Sequence, residues 1–497
     1  MAIGDVGFHN FPASTWRPSG SFVEFDPSQA NTAIQQQRAL LIGQITASGT
    51  TAPNVPVLAY NQAQVNALAG NNSMLALMYA AYRAQDAYGE VWLAPLSDNA
   101  GGVAGTQTIT ITGPATAGGV LSLYVMGVPV PVTVNSGDTA TAIASAVSTA
   151  IGLAQSVMCT ASPAAGVVTV TSNHKGIAAG DIDLRLNYRG QQNNEATPAG
   201  VAVVIAAGVT GTLNPVMTTL LTNTGAQTYD FIALPYTDTT SLTAIEAYLN
   251  DLTGRWASIQ QLYGHCFTAY RGTVGARASF GVTRNSQHMT CLGYFDSPTP
   301  VWMEAADLAG LHAVPIRVNP AQGVAERALG LLPPPMASQD TPSNRNTLLF
   351  DGISTYFVDP SGTARIDRSI TMYQTNTGGL PDNSYLNTNL LFQAMYCARY
   401  INAQIISQFI QPGKILVVNG TPIPLGANAT TPAMVFQAVV GYYGYLASIF
   451  LVQNPAKFAA NGYGTTGTKG QVLLFLPFDF ADQVIQVASL IQFVQST

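Results

Sequence analysis

The spacing of apolar residues changes several times along the chain, and each change predicts a boundary. Residues 37–45 (QRALLIGQI) form a continuous apolar run, the pattern of a strand buried on both faces. Residues 63–86 carry apolar positions at helical spacing and predict a helix, and residues 89–96 (GEVWLAPL) predict a second strand. Strand, helix and strand in this order predict a parallel βαβ unit. From residue 99 the period switches to two. Residues 106–112 (TQTITIT), 120–134, 166–172 and 181–188 alternate apolar and polar positions between Gly and Pro turns. Among them, residues 136–152 read as a helix with Ser136 or Asp138 as its N-cap. The α/β pattern then resumes, with strands expected at 229–238, 264–272 and 289–295 and helices at 241–256 and 301–314. Resumption marks 99–206 as a module inserted into an α/β domain that comprises residues 28–98 and 207–335.

A proline-rich stretch, residues 331–344, predicts the next boundary. Beyond it a C-terminal α+β domain is expected over 340–470, with a hairpin turning at DPSG (359–362) and a helix over 387–409. Residues 433–452 contain no charge and are long enough to span a bilayer. Their tyrosines, glycines and flanking prolines, with no Lys or Arg anchor beside them, favour a buried helix and strand instead. Two arms complete the organisation, at 1–27 and 471–497. The first holds Phe8, Phe11, Trp16, Val23 and Phe25 without domain-forming periodicity; the second is β-rich and carries only Asp479 and Asp482 as charges. Apolar termini of this kind need a surface to dock on.

Composition sharpens that expectation. Charged residues make up 9% of the 497, against about 25% in an average protein. A surface so poor in charge is cheap to desolvate against neighbours, which favours assembly. The net charge of −6 gives no basic footprint for nucleic acid. Four scattered cysteines form no CxxC pair, five histidines show no metal-ligand spacing, and the first residues lack the pattern of a secretory signal. The loop at 462–470 (GYGTTGTKG) lacks the Gly-Lys-Ser/Thr ending of a phosphate-binding loop. No catalytic, cofactor-binding or metal-ligating residue is therefore assigned, and no cofactor is expected.

Several short segments carry a family resemblance. These are residues 352–355 (GIST), 365–373 (RIDRSITMY), 381–388 (PDNSYLNT), the helix bearing Arg399, and 476–484 (LPFDFADQV). Together with the order of arm, α/β domain, insert and C-terminal domain, they resemble the tail sheath proteins of contractile bacteriophages, in the Mu-like branch. The resemblance implies a non-enzymatic subunit that self-assembles as stacked rings or a helix around a tail tube protein, with baseplate and tail terminator proteins as further partners. It also implies contraction that drives the tube through the host envelope for genome delivery, location in the virion tail, and assembly in the host cytoplasm. Direct nucleic-acid binding and membrane insertion are not expected. The arms would add strands to sheets of adjacent subunits. The residues expected at those contacts are Phe8, Phe11, Trp16, Val23 and Phe25 at one end and Val484, Ile485, Val487, Ile491 and Phe493 at the other, with a neighbour completing a strand within 484–494. Arg365 and Arg368, three apart in a strand, point to opposite faces; one is a candidate contact to the tube or a neighbour, and the alternative is that both make ordinary intradomain pairs. Two other readings remain open from the residues: a nucleotide- or sugar-binding α/β enzyme with an accessory β module, and an exported surface-array protein.

Overall fold

A computed structural model describes residues 37–493. Its centre is a six-stranded sheet in the order Met289–Tyr294, His265–Arg271, Phe231–Ala233, Arg38–Gln44, Glu90–Leu96, Val57–Ala59. The first five run parallel and the short last one is antiparallel. The expected βαβ unit is present, with Arg38–Gln44 paired directly to Glu90–Leu96. Both faces of this sheet are covered, which explains the unbroken apolar run at Ala39–Ile42. Helix Val301–Val318 lies against the sheet and against helix Met74–Gln85, and it buries nearly its whole circumference, including Trp302, Leu308 and Ile316.

Several expected bounds shift, each for a local reason. The single helix at 63–86 is two, Gln62–Ala69 and Met74–Gln85. Gly70 (φ +88°) and Asn72 (φ +55°) take left-handed conformations that end the first, and the Ser73 hydroxyl caps the second by accepting from Ala76 N at 3.2 Å. Residues 120–134 are a hairpin, Gly119–Val125 and Val128–Val134, turning at Met126 and Gly127 with both φ positive. The insert's helix, Ala140–Leu153, is capped by Thr139 rather than Ser136 or Asp138, because the Asp138 carboxylate accepts from Asn135 N instead. The helix expected at 241–256 spans Thr239–Leu249, and Arg255 turns back to donate to the carbonyls of Tyr263 and Gln227. In 181–188 only Leu184–Leu186 is strand. Strands Cys159–Ala164 and Ala202–Ala207 and helix Val274–Gly281 have no counterpart in the sequence reading.

The insert folds as a four-stranded and a three-stranded antiparallel sheet with helix Ala140–Leu153 against them. It is fastened to the parent domain by Asp98, whose carboxylate accepts from Gln44 Nε2 (2.7 Å), His174 Nδ1 (2.9 Å) and Lys175 N (3.0 Å). On its other ring nitrogen His174 accepts from Met74 N at 3.2 Å. Arg271, paired with Asp181 and Asp183, makes a second fastening.

The proline-rich stretch is not a break in the core. Leu348, Ile353, Tyr356, Ile366, Met372, Phe392 and Met395 belong to the same apolar cluster as the parallel sheet. Ser354 N donates to Cys291 O (2.9 Å), Gly293 N to Ser354 O (3.1 Å) and Met372 N to Met289 O (2.9 Å), so this segment seals the open edge of strand Met289–Tyr294. A second, smaller cluster begins only at Cys397. It is built by helices Thr388–Ile405 and Pro432–Ser448 around Val439, Tyr443, Leu446 and Phe458. The uncharged stretch at 433–452 is this second helix followed by a turn, and no helix among the described residues is long and apolar enough to cross a membrane.

Candidate functional site

The closing stretch divides at Ala481. Before it, Val472–Phe475 pairs antiparallel with Tyr463–Thr466, and Leu476, Phe478 and Phe480 pack on the smaller cluster. The last bridge joins Val452 to Phe480. Beyond Ala481, residues 482–493 form no strand and make no hydrogen bond among the described residues. Val484 is 86% exposed, Ile485 46%, Val487 80%, Ile491 76% and Phe493 93%. Fully burying one such side chain stabilises by about 1.5–3 kcal/mol, so exposing several of them is costly. A hairpin precedes it in the chain. Hairpin Tyr463–Thr466/Val472–Phe475 is a two-stranded sheet that no third strand joins among the described residues; Asn419 Nδ2 donates to Gly464 O at 3.4 Å, and Tyr463, Leu473 and Phe475 are exposed. Phe8, Phe11, Trp16, Val23 and Phe25 lie outside the described residues.

The two candidate arginines occupy strand Ala364–Arg368, paired with Thr355–Val358. Arg365 Nε donates to Asp359 Oδ2 at 2.6 Å and Nη1 to Glu326 O at 2.9 Å, which makes it an intradomain pair. Hydrogen bonds from Ser361 and then Arg365 hold the Asp359 carboxyl well below the usual carboxylate range. Arg368 reaches Asn387 Oδ1 at 3.3 Å, while its Nε is buried without a partner. It lines a groove of about 430 Å³ with Asp367, Asn387, Asp482 and Gln483, so the structure brings this arginine, and not Arg365, to the root of the arm. The approach is close: a Cβ on Gly323 would lie 2.5 Å from Gln483 Oε1. Arg399 is internal, paired with the fully buried Asp230 and donating to Leu262 O at 3.1 Å. It rivets the second cluster's first helix to the parallel sheet.

Sequence reasoning missed the residues that hold the arm's root: Tyr443, Gln453, Asn454 and Gln393. Asn454-Pro455 was the only local cue, as a turn signal before a short helix.

Where an α/β enzyme takes its ligand, at the C-terminal ends of the parallel strands, this fold places the insert. Gln44, at the end of its strand, is covered by Asp98, His174 and Lys175. The groove that remains nearby, about 470 Å³, has Arg271 and Asp181 on its wall already paired with each other. All four cysteines are free and buried, and burial pushes the Cys159 and Cys397 thiols up to about 12. Burial also moves His265 and His312 down, keeping both neutral. Among the described residues no group of three or more His, Cys, Asp or Glu is placed to hold a metal ion.

Comparison with known proteins gives this geometry its class. Residues 207–372 match the family model of the phage tail sheath protein central domain, a span that runs through the proline-rich stretch as the core does. Over 457 residues the chain is 32% identical to the Mu-like prophage FluMu tail sheath protein of Haemophilus influenzae, covering 91% of this chain and 92% of that one. The chain therefore belongs to the phage tail sheath family. Among solved structures it is similar to a sheath tail protein from Listeria innocua (12% identity, TM-score 0.48, covering 90% of this chain and 93% of that one). It is also similar to a chain of the anti-feeding prophage baseplate (11% identity, TM-score 0.46, covering 97% and 100%).

Proposed function

We propose that the chain polymerises around a tail tube as stacked rings or a helix, and contracts to drive the tube through the host envelope. The observation that carries this reading is the apolar arm at 482–493, mostly exposed and without a strand partner among the described residues, following a two-stranded hairpin. A strand that leaves one subunit and completes a sheet in the next is a heterologous contact, and such contacts propagate as rings or helices. Val484, Ile485, Val487, Ile491 and Phe493 are its inter-subunit side chains, with Phe8, Phe11, Trp16, Val23 and Phe25 contributing from the other arm. Arg368, at the arm's root with its Nε unpartnered, is the better candidate for a contact to a neighbour or to the tube. The tube, baseplate and terminator are the remaining partners, the tail of the particle is the site of action, and assembly takes place in the host cytoplasm.

Contraction fits the division of the fold. A rigid core with a covered sheet moves as a body, while an arm that makes no hydrogen bond among the described residues lets adjacent bodies turn without separating. The test is negative-stain electron microscopy of the purified protein, alone and with tube protein. Tubes or stacked rings are expected; uniform small particles at high concentration under both conditions would overturn the reading.

A further inference from the structure

The arm does not simply begin where packing fades. Its last docked residues are gripped by a polar clasp, and Asp479 is at the centre. The Asp479 carboxylate accepts from Gln453 Nε2 at 3.0 Å and from Asn454 Nδ2 at 2.8 Å. Its backbone is held as well. Gln453 N donates to Asp479 O at 2.8 Å, and Asp479 N donates to the Tyr443 hydroxyl at 3.2 Å. That hydroxyl in turn donates to Gln453 O at 2.7 Å, closing the circuit. Two residues on, Ala481 N donates to Leu451 O (3.1 Å) and Gln393 Nε2 donates to Ala481 O (2.9 Å). Beyond it the arm makes no further hydrogen bond among the described residues.

The groups that make this clasp are themselves fixed. Tyr443 is fully buried, with its ring stacked on Phe458 at 3.8 Å and edge-on to Phe478 at 5.3 Å. Gln393 is buried on helix Thr388–Ile405. Asn454 holds a left-handed backbone (φ +54°), which asparagine tolerates better than most residues, and this aims its amide at the carboxylate. Packing alone would let Leu476, Phe478 and Phe480 slide over the small cluster. Hydrogen bonds with fixed partners admit one register.

We propose that Asp479 is the positioning residue of the C-terminal arm: gripped by Tyr443, Gln453 and Asn454, it fixes the point and direction at which the chain beyond Ala481 leaves the core. This rests on the assembly role given to the arm above. Its consequence is mechanical. When neighbouring cores turn, strain arriving along the arm meets a register that cannot slip, and the swivel is confined to the residues after Ala481.

The test compares the full chain with Asp479→Ala, Asn454→Gly and a chain ending at Ala481, using amide hydrogen exchange by mass spectrometry and electron microscopy of assembly. Both point variants should exchange at least about tenfold faster over residues 476–481, with the parallel-sheet strands unchanged, since the hydrogen bonds lost are local and partly charge-assisted. Both should also form at least about tenfold fewer regular tubes, because a misplaced arm cannot meet its acceptor in register. Unchanged exchange at 476–481 with normal tubes in both variants would overturn the proposal. Asn454→Gly keeps the left-handed backbone available, so it decides the matter if Asp479→Ala disturbs the whole small cluster. If the chain ending at Ala481 still forms normal tubes, the arm's role in assembly falls, while slow exchange at 476–481 in the point variants still counts against the clasp and fast exchange for it.

Discussion

The two apolar clusters of this chain are built to different ends. The larger, around the parallel sheet, closes on itself: both faces are covered, its edge at Met289–Tyr294 is sealed by the segment around Ser354, and Arg277 and Asp340 pair inside it. The smaller, around Tyr443 and Phe458, stays open, with a hairpin that no third strand joins among the described residues and an arm whose apolar residues are exposed. One body is closed within the described chain, and under the proposed function the other is completed by association. A subunit that must turn as a rigid unit while remaining linked to its neighbours needs both.

Breaking the closed cluster should give the largest effect on stability. Arg277 and Asp340 form a buried bidentate pair at 2.6 and 2.7 Å. Asp340→Ala leaves the guanidinium buried and uncompensated, and should cost about 3–5 kcal/mol in chemical denaturation. The equivalent insult to the open cluster, Val439→Ala, should cost about 0.5–2.5 kcal/mol and be read as local opening in hydrogen exchange, with the sheet strands still protected. Equal global losses from the two variants would mean that the clusters are one cooperative unit.

A third prediction concerns pH. Glu304 is fully buried, neither carboxylate oxygen has a partner, and burial followed by the neighbouring Asp307 raises its pKa well above the ordinary value. Asp307 is pushed up to about 6 by burial. Both acids therefore keep protons in the folded state that the unfolded chain releases. Stability must fall as pH rises from the ordinary carboxyl range through the folded-state values, by up to about 1.4 kcal/mol per pH unit for each proton held. Glu304→Gln removes one of these slopes. Its stability should exceed that of the native chain at pH 8 and match it near pH 4, as followed by urea melts across pH. The smallest stability effects belong to the arginine pair. Arg365→Ala should change the melting temperature little, because its pair with Asp359 lies at the surface, with the Arg365 side chain one-third exposed. Arg368→Glu should leave a folded subunit with impaired assembly, separating a contact role from a structural one.

Much of the closed body was legible in the sequence because its elements obey one period at a time. The run at Ala39–Ile42 could only be a strand covered on both faces, and the return of that pattern at Phe231–Ala233 exposed the insert. What stayed hidden depended on partners distant in sequence. Nothing in residues 340–372 announces that they seal a strand at Met289–Tyr294, so a proline-rich stretch looks like a domain boundary when it is a crossing on the surface of one core. The arm shows the same limit. Residues 472–481 and 482–493 share an apolar, β-prone composition, yet the first set docks at home because Tyr443, Gln453 and Asn454 wait for it and the second does not. Composition identifies a segment that needs a partner; only the fold says which half has already found one.

The most direct measurement is electron microscopy of the chain ending at Ala481 beside the full chain at matched concentration. Soluble, folded monomers with a melting temperature close to that of the full chain and no tubes are expected, because residues 482–493 carry mostly exposed side chains and make no hydrogen bond among the described residues. Tubes of normal length and number from the shortened chain would contradict it.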